Sequence, residues 1–313
     1  MSGLPQLEPV QLRPLGIGEI FDRAVTLYVR NFLLFTIIAA FVVVPMSVVQ
    51  YFVIVQQGGA WAQILDQARH PTHTGAALAP VFGTWFLLLI AVSVVLTPFM
   101  YVAMAAALGR IYKGEATDWR TSYAVALRHA GGILLTVLCQ FAILFAAIFA
   151  GALTLGLALT AAMLLVRAFA PLGVVTVVLA VLLFLVYLLA IMMCYLAIAL
   201  AFDAIGIEES RFSQAISSSF ARIFNRSELG KAALICLGFL AVEIGLMIVT
   251  AVLDSVIQMV VHQPIVDTIV QGVISAVATG FIGVLIAVYY FDVRIRREGL
   301  DMQAAIDQLQ TQP

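Results

Sequence analysis

Six long apolar runs divide this chain. They cover residues 32 to about 55, 81–108, 133 to about 162, 172–202, 232–253 and 265–290. A helix needs roughly 20 apolar residues to cross the hydrocarbon core of a bilayer. Each run meets that length, so six membrane-spanning helices are predicted. Several exceed it, which calls for tilt or extension into the headgroups. The third has the least defined end, because its apolar character continues to Val166 before Arg167 and Pro171 interrupt it. The first run is too long for the apolar core of a cleaved leader and no short basic head precedes it, so it is expected to stay as a signal anchor.

A second periodicity precedes the runs. From Gly16 to Asn31, Ile17, Ile20, Phe21, Ala24, Leu27 and Tyr28 recur at helical spacing, opposed by Glu19, Asp22, Arg23, Thr26 and Arg30. That alternation predicts an amphipathic helix, with Glu19 and Arg23 one turn apart as an ion pair. Joined directly to a spanning run, such a helix is expected to lie in the membrane interface. The pattern returns before the third run, with Trp119, Tyr123, Ala126 and Ala130 on one face and Thr117 or Asp118 placed to cap its start. It returns again before the fifth, with Phe212, Ile216, Phe220 and Ile223 opposed by Ser213, Gln214, Ser217 and Arg222. The spanning pairs end alike, in AMAAALGRIYKGE, AIALAFDAIGIEE and IAVYYFDVRIRREG. A single integral membrane domain over 1–313 is therefore expected, built as three repeats of helix plus hairpin over 16–113, 117–209 and 210–299. Residues 1–15 and 300–313 are tails.

Composition agrees with this solvent. Only 11% of the 313 residues are charged, against about 25% in a soluble chain, and the mean hydropathy is +1.09. With six spans, 14 of the 16 Lys and Arg residues fall on one side, and only Arg69 and Arg167 on the other. The positive-inside bias then puts both termini in the cytoplasm. Cys139, Cys194 and Cys236 lie inside apolar runs and read as small hydrophobes.

The segments LRPLGIGEIFDRAVTLYVRNF and YYFDVRIRREGLDM resemble those of bacterial integral membrane proteins related to the membrane domain of glycerophosphoryl diester phosphodiesterase. In relatives with the enzyme, a separate soluble barrel carries the catalytic histidines and carboxylates. This chain stops at Pro313, so the resemblance implies the membrane part without the activity.

Candidate chemistry is sparse. Glu243 lies 12 positions past Lys231, about 18 Å along a helix and near mid-membrane, where a carboxyl normally faces the bundle interior. Pro45 and Pro98 sit at similar depths, and the kinks they invite could frame a cavity for lipid or solute. Asp203 and Asp292 follow phenylalanines at matching exits. A carboxylate near a helix C-terminus opposes the macrodipole, so ion pairs with Arg30, Arg128 or Arg222 are expected. His70 and His73 near Asp66 make a poor zinc site, with Pro71 between them and no fourth ligand nearby. Small residues four apart (Ala142, Ala146, Ala150, Thr154 and Ala158, then Ser275, Thr279, Gly283 and Ala287) suggest close helix seams.

No phosphate loop, nucleophile elbow or metalloprotease helix is present. The reading is thus an all-α, non-enzymatic multi-pass protein without cofactor. It is expected to be a scaffold or accessory subunit organising lipids or partner proteins at the cytoplasmic face. Its expected partners are membrane lipids, anionic ones included, and a membrane protein or a second copy, with no nucleic acid. The alternative is a transporter of a lipid or small apolar solute through a chamber containing Glu243.

Overall fold

In the computed structural model, residues 13–69, 84–168, 173–226, 228–260 and 263–298 are described. Among them the secondary structure is entirely helical: α1 (Ile17–Arg30), α2 (Phe32–Arg69), α3 (Thr84–Tyr112), α4 (Trp119–Arg128), α5 (Ala130–Ala168), α6 (Gly173–Glu208), α7 (Phe212–Ile223), α8 (Leu229–Val260) and α9 (Pro264–Glu298). Six of these, α2, α3, α5, α6, α8 and α9, are long and apolar enough to cross a membrane. The long helices outrun the apolar runs at one end: α3 reaches Tyr112, α6 Glu208 and α9 Glu298. Asp203 and Asp292 therefore stand inside helices and not beyond them.

The core gathers at the end that carries the short helices. Buried side chains concentrate at Phe35–Val42 of α2, Met100–Ile111 of α3, Met193–Ile205 of α6 and Ile282–Ile295 of α9. Away from that end α5 and α6 keep large apolar side chains exposed, including Phe145, Phe149 and Leu157 on α5 and Val177, Leu179 and Val186 on α6. Lipid is the natural cover for such a surface. Helix α9 is the hub, packing most extensively on α2 and also on α1, α3, α6 and α8. Each exit helix receives a short helix on its end: α4 packs on α3, α7 on α6, and α1 on α9.

The short helices start and stop by local chemistry. At α1 the Gly16 N–H donates to Glu19 Oε2 at 2.7 Å, and Glu19 also accepts from Arg13 at 2.7 Å. The expected Glu19–Arg23 pair gives way to this one, since Arg13 lies at the helix entrance where the carboxylate already caps. At α4 Asp118 is the cap, accepting the Thr121 N–H at 2.8 Å. One residue separates α1 from α2 and one separates α4 from α5. Asn31 Nδ2 donates to the Leu27 carbonyl, and His129 Nδ1 meets the Val125 carbonyl, both at 3.0 Å and both four residues back. In each case the polar side chain joins its own main-chain N–H at a carbonyl of the last helical turn.

Glycines set the closest crossings. A Cβ at Gly206 of α6 would stand 2.6 Å from the Val102 carbonyl oxygen and 2.9 Å from Ala105 Cβ of α3. On α9, Gly272 faces Ser47 of α2, and Gly283 faces Met104 of α3. The α9 ladder thus lies in a seam. The α5 ladder does not: Ala142, Ala146, Ala150 and Thr154 are exposed. The α5–α6 seam runs instead through Gly151, against the Tyr187 ring, whose hydroxyl donates to the Ala147 carbonyl at 2.9 Å.

Candidate functional site

Two features concentrate polar chemistry: an ionic clasp at the packed end and a pair of chambers deeper in the bundle. The clasp centres on Asp292, whose side chain is fully buried. Its Oδ1 accepts the Leu15 N–H at 2.7 Å, and its Oδ2 is bonded to Lys231 Nζ at the start of α8. Arg296, one turn on, reaches the same carboxylate at 3.2 Å. Lys231 and Arg296 both also donate to the Leu15 carbonyl. The buried Asp292 side chain thus collects a main-chain N–H, an ammonium and a guanidinium from three parts of the chain. Residue 15 and residue 292 consequently lie at the same end of the molecule.

A second cluster joins α6, α7 and α9. Arg222 donates to Glu208 at 3.0 Å and to the Tyr290 hydroxyl at 3.0 Å, and Tyr290 in turn donates to Glu208. Arg294 approaches Glu208 at 3.1 Å. This corrects the expected polar face of α7. Arg222 is buried together with Ala215, Ser219 and Ile223, while Phe212, Ile216 and Phe220 are half-buried. The packed face rotates because Glu208 and Tyr290 compensate the guanidinium from the neighbouring helices.

The predicted pairs of Asp203 and Asp292 are therefore not those that form. Asp292 takes Lys231 at the start of α8 and Arg296 on its own helix. Asp203 is 2% exposed, and its Oδ2 has no hydrogen-bond partner among the described residues. Arg30 and Arg128 are exposed in the last turns of α1 and α4, where they complement the helix dipole. Lys231 and Glu208 are the members that sequence reasoning missed. Their only linear signal was position, at a helix start and a helix end.

The first chamber, about 220 Å³, lies among α3, α5, α6 and α9. Pro98 lines it beside Val94. A proline lacks the N–H that the carbonyl four residues back requires, so the Val94 carbonyl is left as an acceptor there. Ser93, Thr97, Gln140 and the Tyr101 and Tyr195 side chains supply the remaining polar lining. The second chamber, about 250 Å³, lies among α3, α8 and α9 and is lined by Tyr101, Glu243, Thr250, Ser275 and Thr279 together with apolar groups. Tyr101 is the wall common to both.

Pro98 and Glu243 are thus brought to neighbouring chambers. Pro45 is not; it is exposed on α2 and lines neither. The prolines match in depth along their helices but face different ways. Glu243 also differs from expectation. It stands exposed beside Ile244 and Met247 at the lateral mouth of its chamber, and no ion pair reaches it among the described residues. His70 and His73 lie outside the described residues, as does the connection that carries them.

The fold and these features define a multi-pass α-helical membrane protein. Compared with protein-family models, curated proteins and solved structures, the chain finds no match in any of the three.

Proposed function

We propose that this chain is a non-catalytic scaffold or accessory subunit of the bacterial cytoplasmic membrane, organising lipids or partner proteins at the cytoplasmic face. One observation carries the reading. The short helices are fastened to the exit helices by buried apolar and ionic contacts, while Arg30 and Arg128 remain exposed at corresponding ends. Such an arrangement presents a rigid collar of cations, each worth roughly 1 kcal/mol toward an anionic leaflet when near its surface. The collar would be interfacial and cytoplasmic, with both termini on that side.

A threefold origin is part of the proposal. It is supported by the recurring docking of short helix on exit helix and by the single-residue joints at Asn31 and His129. So is kinship with the membrane part of glycerophosphoryl diester phosphodiesterase relatives. The two segments that carry the resemblance, far apart in the chain, touch through Leu15 and Asp292.

Gentle purification from native membranes, with mass spectrometry of what comes along, tests the reading. A stoichiometric protein or enriched anionic lipid is expected, and either should fall away in the R30E/R128E double variant. Recovery of neither from the wild-type chain would overturn the scaffold. A second reading, transport of a lipid or small apolar solute, is favoured by the two chambers meeting at Tyr101. There E243Q should abolish transport while leaving the protein folded; a scaffold tolerates the change.

A further inference from the structure

We propose that the chamber among α3, α8 and α9 is a binding site for a single-chain amphiphile bearing a protonated primary amine. The molecule enters sideways from the bilayer and sets its ammonium group against Glu243.

The chemistry of the lining selects this class. Among the described residues Glu243 is the one carboxylate lining the chamber, and it stands exposed at the mouth. A carboxylate at that depth is costly unless a cation or a hydrogen-bond donor meets it. Among the described residues the protein supplies no cation: no ion pair reaches Glu243, no lysine or arginine lines the chamber, and the neutral hydroxyls of Tyr101, Ser275 and Thr279 are the donors nearby. The hydroxyls around it reinforce the acceptor character. Thr250 spends its proton on the Met247 carbonyl at 3.0 Å, so its oxygen presents lone pairs to the cavity. Ser275 and Thr279 stand on the facing side, from α9.

An ammonium group brings three donors and no acceptor, which suits one carboxylate flanked by hydroxyl oxygens. A fatty acid would set like charge against like. A long-chain alcohol would offer one neutral donor where a charge-assisted bond is available. The volume, about 250 Å³, holds a head group and the first part of a chain. Met247 and Ile244, exposed beside the mouth, then line the route by which the rest of the chain passes into lipid. Delivery from the bilayer also distinguishes this ligand from a hydrated metal cation, which seeks six or more oxygens.

The proposal uses the chamber of the transport reading but not transport itself, so a chain that binds without transporting leaves it standing. The test is equilibrium binding to the purified full-length protein in phosphatidylcholine nanodiscs. Dodecylamine, dodecanol and dodecanoate are compared by native mass spectrometry and by shift of the thermal midpoint. Dodecylamine should half-saturate at a concentration at least about ten-fold lower than dodecanol, as one charge-assisted bond implies, and dodecanoate should not bind. E243Q should erase the preference for amine while retaining weak alcohol binding. Equal binding of amine and alcohol, or a preference that survives E243Q, overturns the site. So does stabilisation by sodium chloride over choline chloride that dodecylamine cannot displace, which would mark a metal cation site. Should E243Q misfold, S275L fills the chamber with Glu243 intact. Loss of dodecylamine binding then supports the site, and retained binding overturns it.

Discussion

At the scale of single residues, the two matching aspartates show how context divides one sequence pattern. Asp292 is buried among Lys231, Arg296 and the Leu15 main chain, whereas Asp203 is buried with an oxygen that has no partner among the described residues. Removing one member of a buried ion pair typically costs about 3–5 kcal/mol, because the other charge is left behind. D292N should therefore lower stability by about that amount in a denaturant titration in mild detergent, and D292K should reduce abundance further. D203N should leave stability unchanged or raise it. If the two variants behave alike, the asymmetry described here is wrong.

The two capping carboxylates titrate in a common direction. The Gly16 N–H, then Arg13, hold the Glu19 pKa below its ordinary 4.5, and the Thr121 hydroxyl, then its N–H, hold Asp118 below 3.8. A carboxyl depressed in the folded state stabilises fully above its unfolded pKa and loses that contribution as pH falls through the folded value. Amide exchange in α1 and α4 should accordingly speed up, relative to the chemical rate, only on acidification below about pH 4.5. D118N should remove that sensitivity from α4 alone.

At the scale of elements, the spans were readable because an apolar run of that length admits one solution in lipid. Their ends were less so. Helices α3, α6 and α9 continue past the apolar runs, since polar groups such as Asp292 and Tyr290 find tertiary partners. The face of α7 was misread for the same reason: Arg222 looks polar in a helical wheel, yet Glu208 and Tyr290 make its burial tolerable. A wheel contains no information about the neighbour. The ladders had the same ambiguity, since spacing of four identifies small residues but not what they face. Gly206 offers a sharp check. Its Cβ would meet backbone of α3, which cannot swing aside, so G206A should cost about 1–3 kcal/mol as an overpacking change. G156A, with nothing within 4 Å, should be neutral or slightly stabilising. Thermal midpoints of the two variants side by side give the comparison.

At the scale of the molecule, the even number of candidate spans and the meeting of residues 15 and 292 agree. Reporters placed in the α3–α4 connection, the α6–α7 connection and after residue 298 should all read one side of the membrane. Reporters placed within residues 70–83 should read the other. The chambers were only half legible beforehand. Pro98 and Glu243 stood out as polar or kinked positions in apolar helices, but Tyr101, the wall they share, carries no distinguishing mark in sequence.

The clasp also bears on how the chain is made. Helix α1 is made before α9, on which it rests, and α2 likewise packs most extensively on α9. Helix α1 must therefore wait through the synthesis of five candidate spans, α2, α3, α5, α6 and α8, before Asp292 and Arg296 can fix Leu15. Until that moment an early helix pair lacks its main neighbour, which leaves it open to surveillance proteases until α9 is in place. Docking of α9 on the waiting pair is then the step that ends this exposure.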